Sequence, residues 1–329
     1  MTDLSTTYLG LKLKNPLVAS ASPLTKQLDN IKRLEEAGVG AIVLHSLFEE
    51  ELIAESIRLH EHLEEGAESF PEALTYFPEL PQYGIGPESY LKLIEAAKGS
   101  TSMPIIASLN AASPGKWADY ARRIEESGAD ALELNVYTIP TDPLVTSSQV
   151  EEELSEIVKD VCEAVEIPVA VKLSPFYSSI PCVAKTVTEA GAEGITIFNR
   201  FYQPDLDIKT MDVVPRLELS TSQELLLRLR WAAIISPRIK ADIAITGGVH
   251  KGEDIAKCIL AGAKVAMVAS ALLKNGISHA SIMLEEFRRF LEEKRLKSAE
   301  EIRGHLSQRA VANPKAFERA NYVKLISSY

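Results

Sequence analysis

Cysteine is scarce in this chain of 329 residues, which has three: Cys162, Cys182 and Cys258. Their odd number and wide spacing exclude a disulfide framework and a zinc site, and three scattered thiols cannot hold an iron–sulfur cluster alone. Cys162 and Cys258 fall on the apolar faces of helical patterns and read as small buried hydrophobes. Cys182 follows Pro181 in the first turn of a helix. Long apolar runs are missing too. Nothing approaches the roughly 20 residues of a membrane span, and the opening MTDLSTTYLG has no apolar signal core, so the chain reads as cytoplasmic, with no membrane partner. Basic charge is in deficit: 35 Lys and Arg stand against 46 Asp and Glu, a net charge of −11. That excludes nucleic acid and anionic membranes as partners, because both select basic surfaces. A glycine-rich GxGxxG turn is absent after the first apolar run, where ASASPLTK stands instead, so an open dinucleotide-binding sheet is disfavoured.

Hydrophobic residues make up 46% of the chain, enough for a sizeable core. They fall into eight short runs: LVASAS (17–22), AIVLHS (41–46), PIIASLN (104–110), ALELNV (131–136), PVAVKLS (168–174), GITIFN (194–199), DIAITGG (242–248) and KVAMVAS (264–270). Each is rich in Val, Ile, Leu or Ala, as strands covered on both faces must be. Amphipathic helical patterns lie between them, several stopping at a glycine, as in EEAGVGA and TEAGAEG. Eight strand–helix units in strict alternation predict a (β/α)8 barrel, with residues 1–329 as a single domain. Residues 4–15 read as a hairpin closing the barrel's bottom. Residues 47–87 form a long insertion after the second strand, acidic and then proline- and aromatic-rich, placed as a lid or as the contact of a homodimer. Its His60 and His62 lie on different helix faces, against a metal site. A helical tail is expected over 298–329.

Chemistry concentrates at the strand ends. ITGGVHKGEDI and VAMVASALL end the seventh and eighth runs, where barrels bind phosphate with backbone N–H groups and a helix N-terminus. Gly247 and Gly248 allow close backbone approach, and Ser270 adds a hydroxyl. A bare GG also serves as an ordinary tight turn; its pairing with a serine-ended eighth strand favours the phosphate. Lys172, ending the apolar fifth run, is either a lysine snorkelling from the barrel rim or a site residue, and its place at a strand's C-terminal end favours the latter. The cradle suits flavin mononucleotide and a phosphorylated metabolite equally.

LGLKLKNPLVASASP, GAIVLHS, ALELNV, VAVKLSP, ITGGV and the end of the eighth run together resemble, in order, the motifs of the dihydroorotate dehydrogenase family. The resemblance spans nearly the whole chain, including SAEEIRGHL near its C-terminus. It implies an FMN-dependent barrel that oxidises a carbon–carbon bond of a small anionic molecule, dihydroorotate by default. On this resemblance Ala19 and Ser20 lie against the flavin ring, Ser46 also touches it, and Asn135 contacts both flavin and substrate. Lys172 faces the flavin's N1/O2 edge, and Asn199 lies beside the substrate. Gly247, Gly248, Ala269 and Ser270 hold the phosphate. Arg200, next in sequence to Asn199, suits a substrate carboxylate.

The chain also departs from the pattern. His45 stands where the family usually has lysine. The loop after ALELNV carries Tyr137 and Thr138 where a cysteine or serine base is expected, and an unassisted hydroxyl is a poor base. The asparagine-rich substrate loop is missing from the insertion, and after the sixth run RLELSTSQELL replaces a glycine-rich flavin loop. Two other readings stay open: a non-redox barrel acting on a phosphorylated metabolite, and a catalytically silent relative that binds a redox partner through its acidic insertion. The electron acceptor is not legible.

Overall fold

The computed structural model describes residues 2–48, 87–111, 117–200, 203–318 and 327. Eight parallel strands close into a barrel: β3 (Leu17–Ala19), β4 (Ala41–Phe48), β5 (Ile105–Ala111), β6 (Ala131–Val136), β7 (Val169–Leu173), β8 (Gly194–Ile197), β11 (Asp242–Thr246) and β12 (Val265–Val268). The order runs β11-β12-β3-β4-β5-β6-β7-β8, and β11 returns to pair with β8. All eight predicted runs are present, so the architecture is the (β/α)8 barrel that the alternation implied. The apolar runs are continuous because each strand is buried twice, by helices outside and by its neighbours inside. Helices fill the intervals, from Leu28–Glu36 to His279–Glu293. The EEAGVGA and TEAGAEG steps end theirs with Gly38 and Gly191 at φ 94° and 114°.

The N-terminal hairpin pairs β1 (Thr6–Tyr8) with β2 (Leu11–Leu13) through a two-residue turn, Leu9-Gly10. Both turn residues have positive φ, 53° and 72°, as such a turn demands. Tyr8, Leu9 and Leu13 pack with Val18, Ile106, Ala170 and Val265 in an inner core cluster, separate from the larger one between strands and helices. The hairpin thus plugs the end of the barrel remote from the strands' C-termini.

Three features were not legible. β4 carries a register shift against β5: Val43 pairs with Ile106, but Ser46 with Ser108, so β4 holds one extra residue. Such a bulge re-aims the side chains beyond it. After β8 a second hairpin, β9 (Asp205–Asp207) and β10 (Asp212–Val214), stands with Leu206, Ile208, Met211 and Val213 exposed. The tail expected to be helical shows, in its described part, only single turns of 3-10 helix at Glu300–Ile302 and Pro314–Phe317. Its backbone is satisfied instead by helix ends: Gly304 N–H donates to Ile259 O, Leu306 N–H to Leu260 O and Gln308 N–H to Ala233 O. The insertion expected as a lid or dimer contact lies, over 49–86, outside the described residues. Among those described, no helix is long and apolar enough to cross a membrane.

Candidate functional site

The C-terminal ends of β3, β7, β8, β11 and β12 surround a cavity of about 230 Å³. Its lining includes Ser20, Lys172, Asn199, Arg200, Gly247, Gly248, Ala269 and Ser270. Eight of the residues singled out in the sequence therefore meet in one place, although they come from five separate stretches of chain. Asn135, at the end of β6, joins them through Asn199, whose Nδ2 donates to Asn135 Oδ1 at 2.7 Å.

Lys172 is held from inside the barrel. Its Nζ lies 3.1 Å from Glu133 Oε1, and Thr196 donates its hydroxyl to Glu133 Oε2 at 3.0 Å. Glu133 is 1% exposed, so its charge is tolerable only because a cation and a hydroxyl satisfy it. Sequence reasoning passed over Glu133. The signal was present, since a carboxylate in the middle of the otherwise apolar ALELNV must find a partner.

Gly247 and Gly248 adopt φ 89° and 85°. A Cβ on Gly247 would stand 2.8 Å from Arg228 Nε, and one on Gly248 2.5 Å from the backbone N of Leu225. No larger residue fits either position. Ser220 closes the cradle from the segment RLELSTSQELL. Its N–H and hydroxyl donate to Ser270 Oγ at 3.1 and 2.9 Å, and its oxygen accepts from Gly248 N–H at 3.2 Å. Ser20 and Thr246 share a hydroxyl contact of 3.3 Å at the floor. Ser220, Thr246 and Arg228 are cavity residues that the sequence did not disclose, because nothing local marks them.

The remaining expected residues lie elsewhere. Ala19 ends β3 one residue before the lining. Ser46, beyond the β4 bulge, meets Ser108 Oγ at 2.8 Å. His45 packs edge-on against Tyr90, with ring centroids 5.1 Å apart. Burial, aided by the charge of Lys26, pushes its pKa down to about 4 against a weaker backbone contribution from Thr25, and its Nδ1 is buried with no hydrogen-bond partner among the described residues. His45 is thus neutral at pH 7 and supplies no cation. Tyr137 and Thr138, both half-buried, follow β6 but are not among the lining residues. Of the cysteines, Cys258 is buried, Cys162 half-buried and Cys182 exposed.

Comparison with known proteins points to one family. The family model described as dihydroorotate dehydrogenase matches residues 83–291. The catalytic subunit of dihydroorotate dehydrogenase B (NAD(+)) from Thermoplasma volcanium is 28% identical over 323 residues, covering 92% of this chain and 98% of its own. The corresponding subunit from Pyrococcus abyssi is 25% identical over 312 residues, covering 92% and 98%. The chloroplastic dihydropyrimidine dehydrogenase (NADP(+)) of Arabidopsis thaliana is 25% identical over 330 residues, covering 93% of this chain and 77% of its own.

Proposed function

Because this chain belongs to the dihydroorotate dehydrogenase family, we propose that it is an FMN-dependent oxidoreductase acting on a carbon–carbon bond of a small anionic substrate. One observation carries the reading: a single cavity is lined both by a two-glycine cradle and by a lysine fixed to a buried carboxylate. The cradle suits a phosphate, since Gly247 and Gly248 bring backbone without side chains to the cavity wall and Ser270 brings a hydroxyl. When bound there, FMN supplies the hydride acceptor, chemistry that no side chain provides.

The chain's own groups take the other roles. Gly247, Gly248, Ala269 and Ser270 hold the phosphate, while Ala19, Ser20 and Ser46 border the ring. Lys172, kept in place by Glu133, puts a positive charge where the ring system gathers negative charge. Asn135 and Asn199 present amide groups to the substrate, and Arg200 receives its carboxylate. His45, neutral and turned toward Tyr90, helps to fix the second strand end. Tyr137 and Thr138 form the proton relay on the loop after β6.

That relay is weak. A positioned general base contributes roughly 10²–10⁴ in rate, and neither hydroxyl lines the cavity. We therefore expect the protein to bind FMN and to oxidise dihydroorotate slowly or not at all, its own substrate being a different small anion. The test is anaerobic mixing of flavin-loaded protein with dihydroorotate while flavin absorbance is followed. Persistent colour supports the reading. Rapid bleaching that disappears in Tyr137→Phe or Thr138→Ala would make the enzyme an ordinary dihydroorotate oxidiser. A protein that takes up inorganic phosphate but no flavin would belong instead with the non-redox barrels.

A further inference from the structure

Arg228 lies in the helix Leu225–Ile235, directly beneath the two-glycine cradle, and is only 6% exposed. Its guanidinium is held on two sides by main-chain carbonyls: Nε donates to Thr246 O at 2.6 Å and Nη1 to Glu224 O at 2.7 Å. The third nitrogen, Nη2, has no hydrogen-bond partner among the described residues. It would lie 2.9 Å from a Cβ on Gly247, and Arg228 lines the cavity.

The electrostatics are one-sided. Among the described residues no carboxylate forms an ion pair with Arg228. Burial opposes its charge, Arg200 repels it, and only the nearby Glu224 offsets these. Glu224 is itself engaged, by Arg200 at 3.7 Å and by Thr221 N–H at 3.2 Å. A buried cation without a counter-ion is costly in a folded protein. The helix nevertheless keeps one here, with its fork clamped and one N–H edge left over.

The backbone donors of the cradle are partly spent already. Gly248 N–H is taken by Ser220 Oγ, and Ser270 Oγ accepts from Ser220. The segment 216–226 has no glycine, so it cannot bring bare backbone up to an anion as a glycine loop does. What remains unsatisfied in the cavity wall is a charge.

We infer that Arg228 is the residue that selects a phosphate-bearing ligand over its neutral counterpart at this cavity, by direct contact of Nη2 with the phosphate. This rests on the reading of the cavity as a phosphate site and adds to it the residue that sets its preference. Hydrogen bonds to a charged group from a fixed fork are the stronger kind. Losing one should weaken binding by about 10- to 100-fold.

The experiment compares FMN with riboflavin, which differ only in the phosphate, on the full chain. Dissociation constants are measured by flavin fluorescence for the parent protein, Arg228→Met and Arg228→Lys. The expected result is a fall of about 10- to 100-fold in FMN affinity for Arg228→Met, with riboflavin affinity changed little and part of the preference restored in Arg228→Lys. An unchanged ratio of FMN to riboflavin affinity in a folded Arg228→Met protein would overturn the inference. Arg228 also braces Thr246 and Glu224, so circular dichroism is recorded. If Arg228→Met does not fold, Arg228→Lys decides, since it keeps charge but not the fork, and an undiminished ratio again overturns the inference. Should the parent bind neither flavin, thermal stabilisation by inorganic phosphate is measured. Stabilisation that is weaker in Arg228→Lys than in the parent upholds the role of Arg228 while rejecting FMN as the ligand, and undiminished stabilisation overturns the inference. No response to phosphate overturns the inference as well.

Discussion

Glu133 and Lys172 are a buried pair with one member opening on a cavity, and that asymmetry governs what each substitution does. Glu133→Gln leaves an ammonium without its counter-charge and should destabilise the protein by about 3 kcal/mol in urea unfolding. Lys172→Met leaves the carboxylate stranded and should cost a similar amount. Replacing both removes both stranded charges, so the double variant should lose less than the sum of the two singles by about 1–3 kcal/mol. Strict additivity would show that the two side chains do not act as a pair. His45 makes a second prediction at this scale. Folded, it stays neutral down to about pH 4, whereas an unfolded histidine takes up its proton near pH 6.5, a reference value of about that size. Between those limits the unfolded state binds the extra proton. The stabilisation is therefore complete above about pH 6.5 and lost as pH falls toward 4, up to about 3 kcal/mol in total. From pH 7 to pH 5 the parent should lose about 2 kcal/mol more than His45→Phe, which keeps the aromatic contact with Tyr90 and cannot titrate.

The N-terminal hairpin shows how an element can be strained locally and still be well determined. Leu9 holds φ 53°, a region that disfavours a side-chain-bearing residue by on the order of 1–3 kcal/mol. It is kept there by what its side chain and N–H reach: the inner core, where it is 2% exposed, and Asp242 Oδ2 at 3.0 Å. Leu9→Ala keeps the strained backbone and empties part of the plug, so chemical denaturation should register a loss of about 2–5 kcal/mol. A loss under 1 kcal/mol would mean that the hairpin is not part of the barrel's core. β4 makes the complementary case. The register shift between Val43 and Ser46 adds a residue to the strand, and the side chains there meet their neighbours, His45 against Tyr90 and Ser46 against Ser108. A bulge has no signature in AIVLHS, because it is fixed by pairing with β5 and not by β4 itself.

At the scale of the whole molecule, the cavity exists only when the barrel is closed, since its walls come from strand ends far apart in sequence. A ligand seated there binds the folded state alone. FMN at a hundred times its dissociation constant should therefore raise the unfolding free energy by about 2.7 kcal/mol at 25 °C. Comparison of urea midpoints with and without FMN checks this, and an unchanged midpoint would show that FMN does not bind the folded state in preference to the unfolded one. The acidic surface, at a net charge of −11, does not oppose this anion, because the cations that matter are Lys172, Arg200 and Arg228 at close range. More distant surface charges are screened within roughly 8–10 Å at ordinary ionic strength.

The order and number of the barrel strands were written in the sequence, because burial on both faces demands continuous apolar runs and each helix had to end where its strand began. So was the end of the barrel that opens on the cavity, since Lys172, Asn199, Gly247 and Ser270 all stand at or near the ends of their runs. The tertiary structure alone decided which side chains meet. Glu133 was visible as an anomaly within ALELNV, but its partner lies 39 residues on. Arg228 looked like one more arginine in LLLRLRW and became a cavity residue only when its helix packed beneath the glycines. Local pattern records how each element is buried and where it stops. Partnership between charges depends on distances across the closed barrel, and no short stretch of sequence carries those.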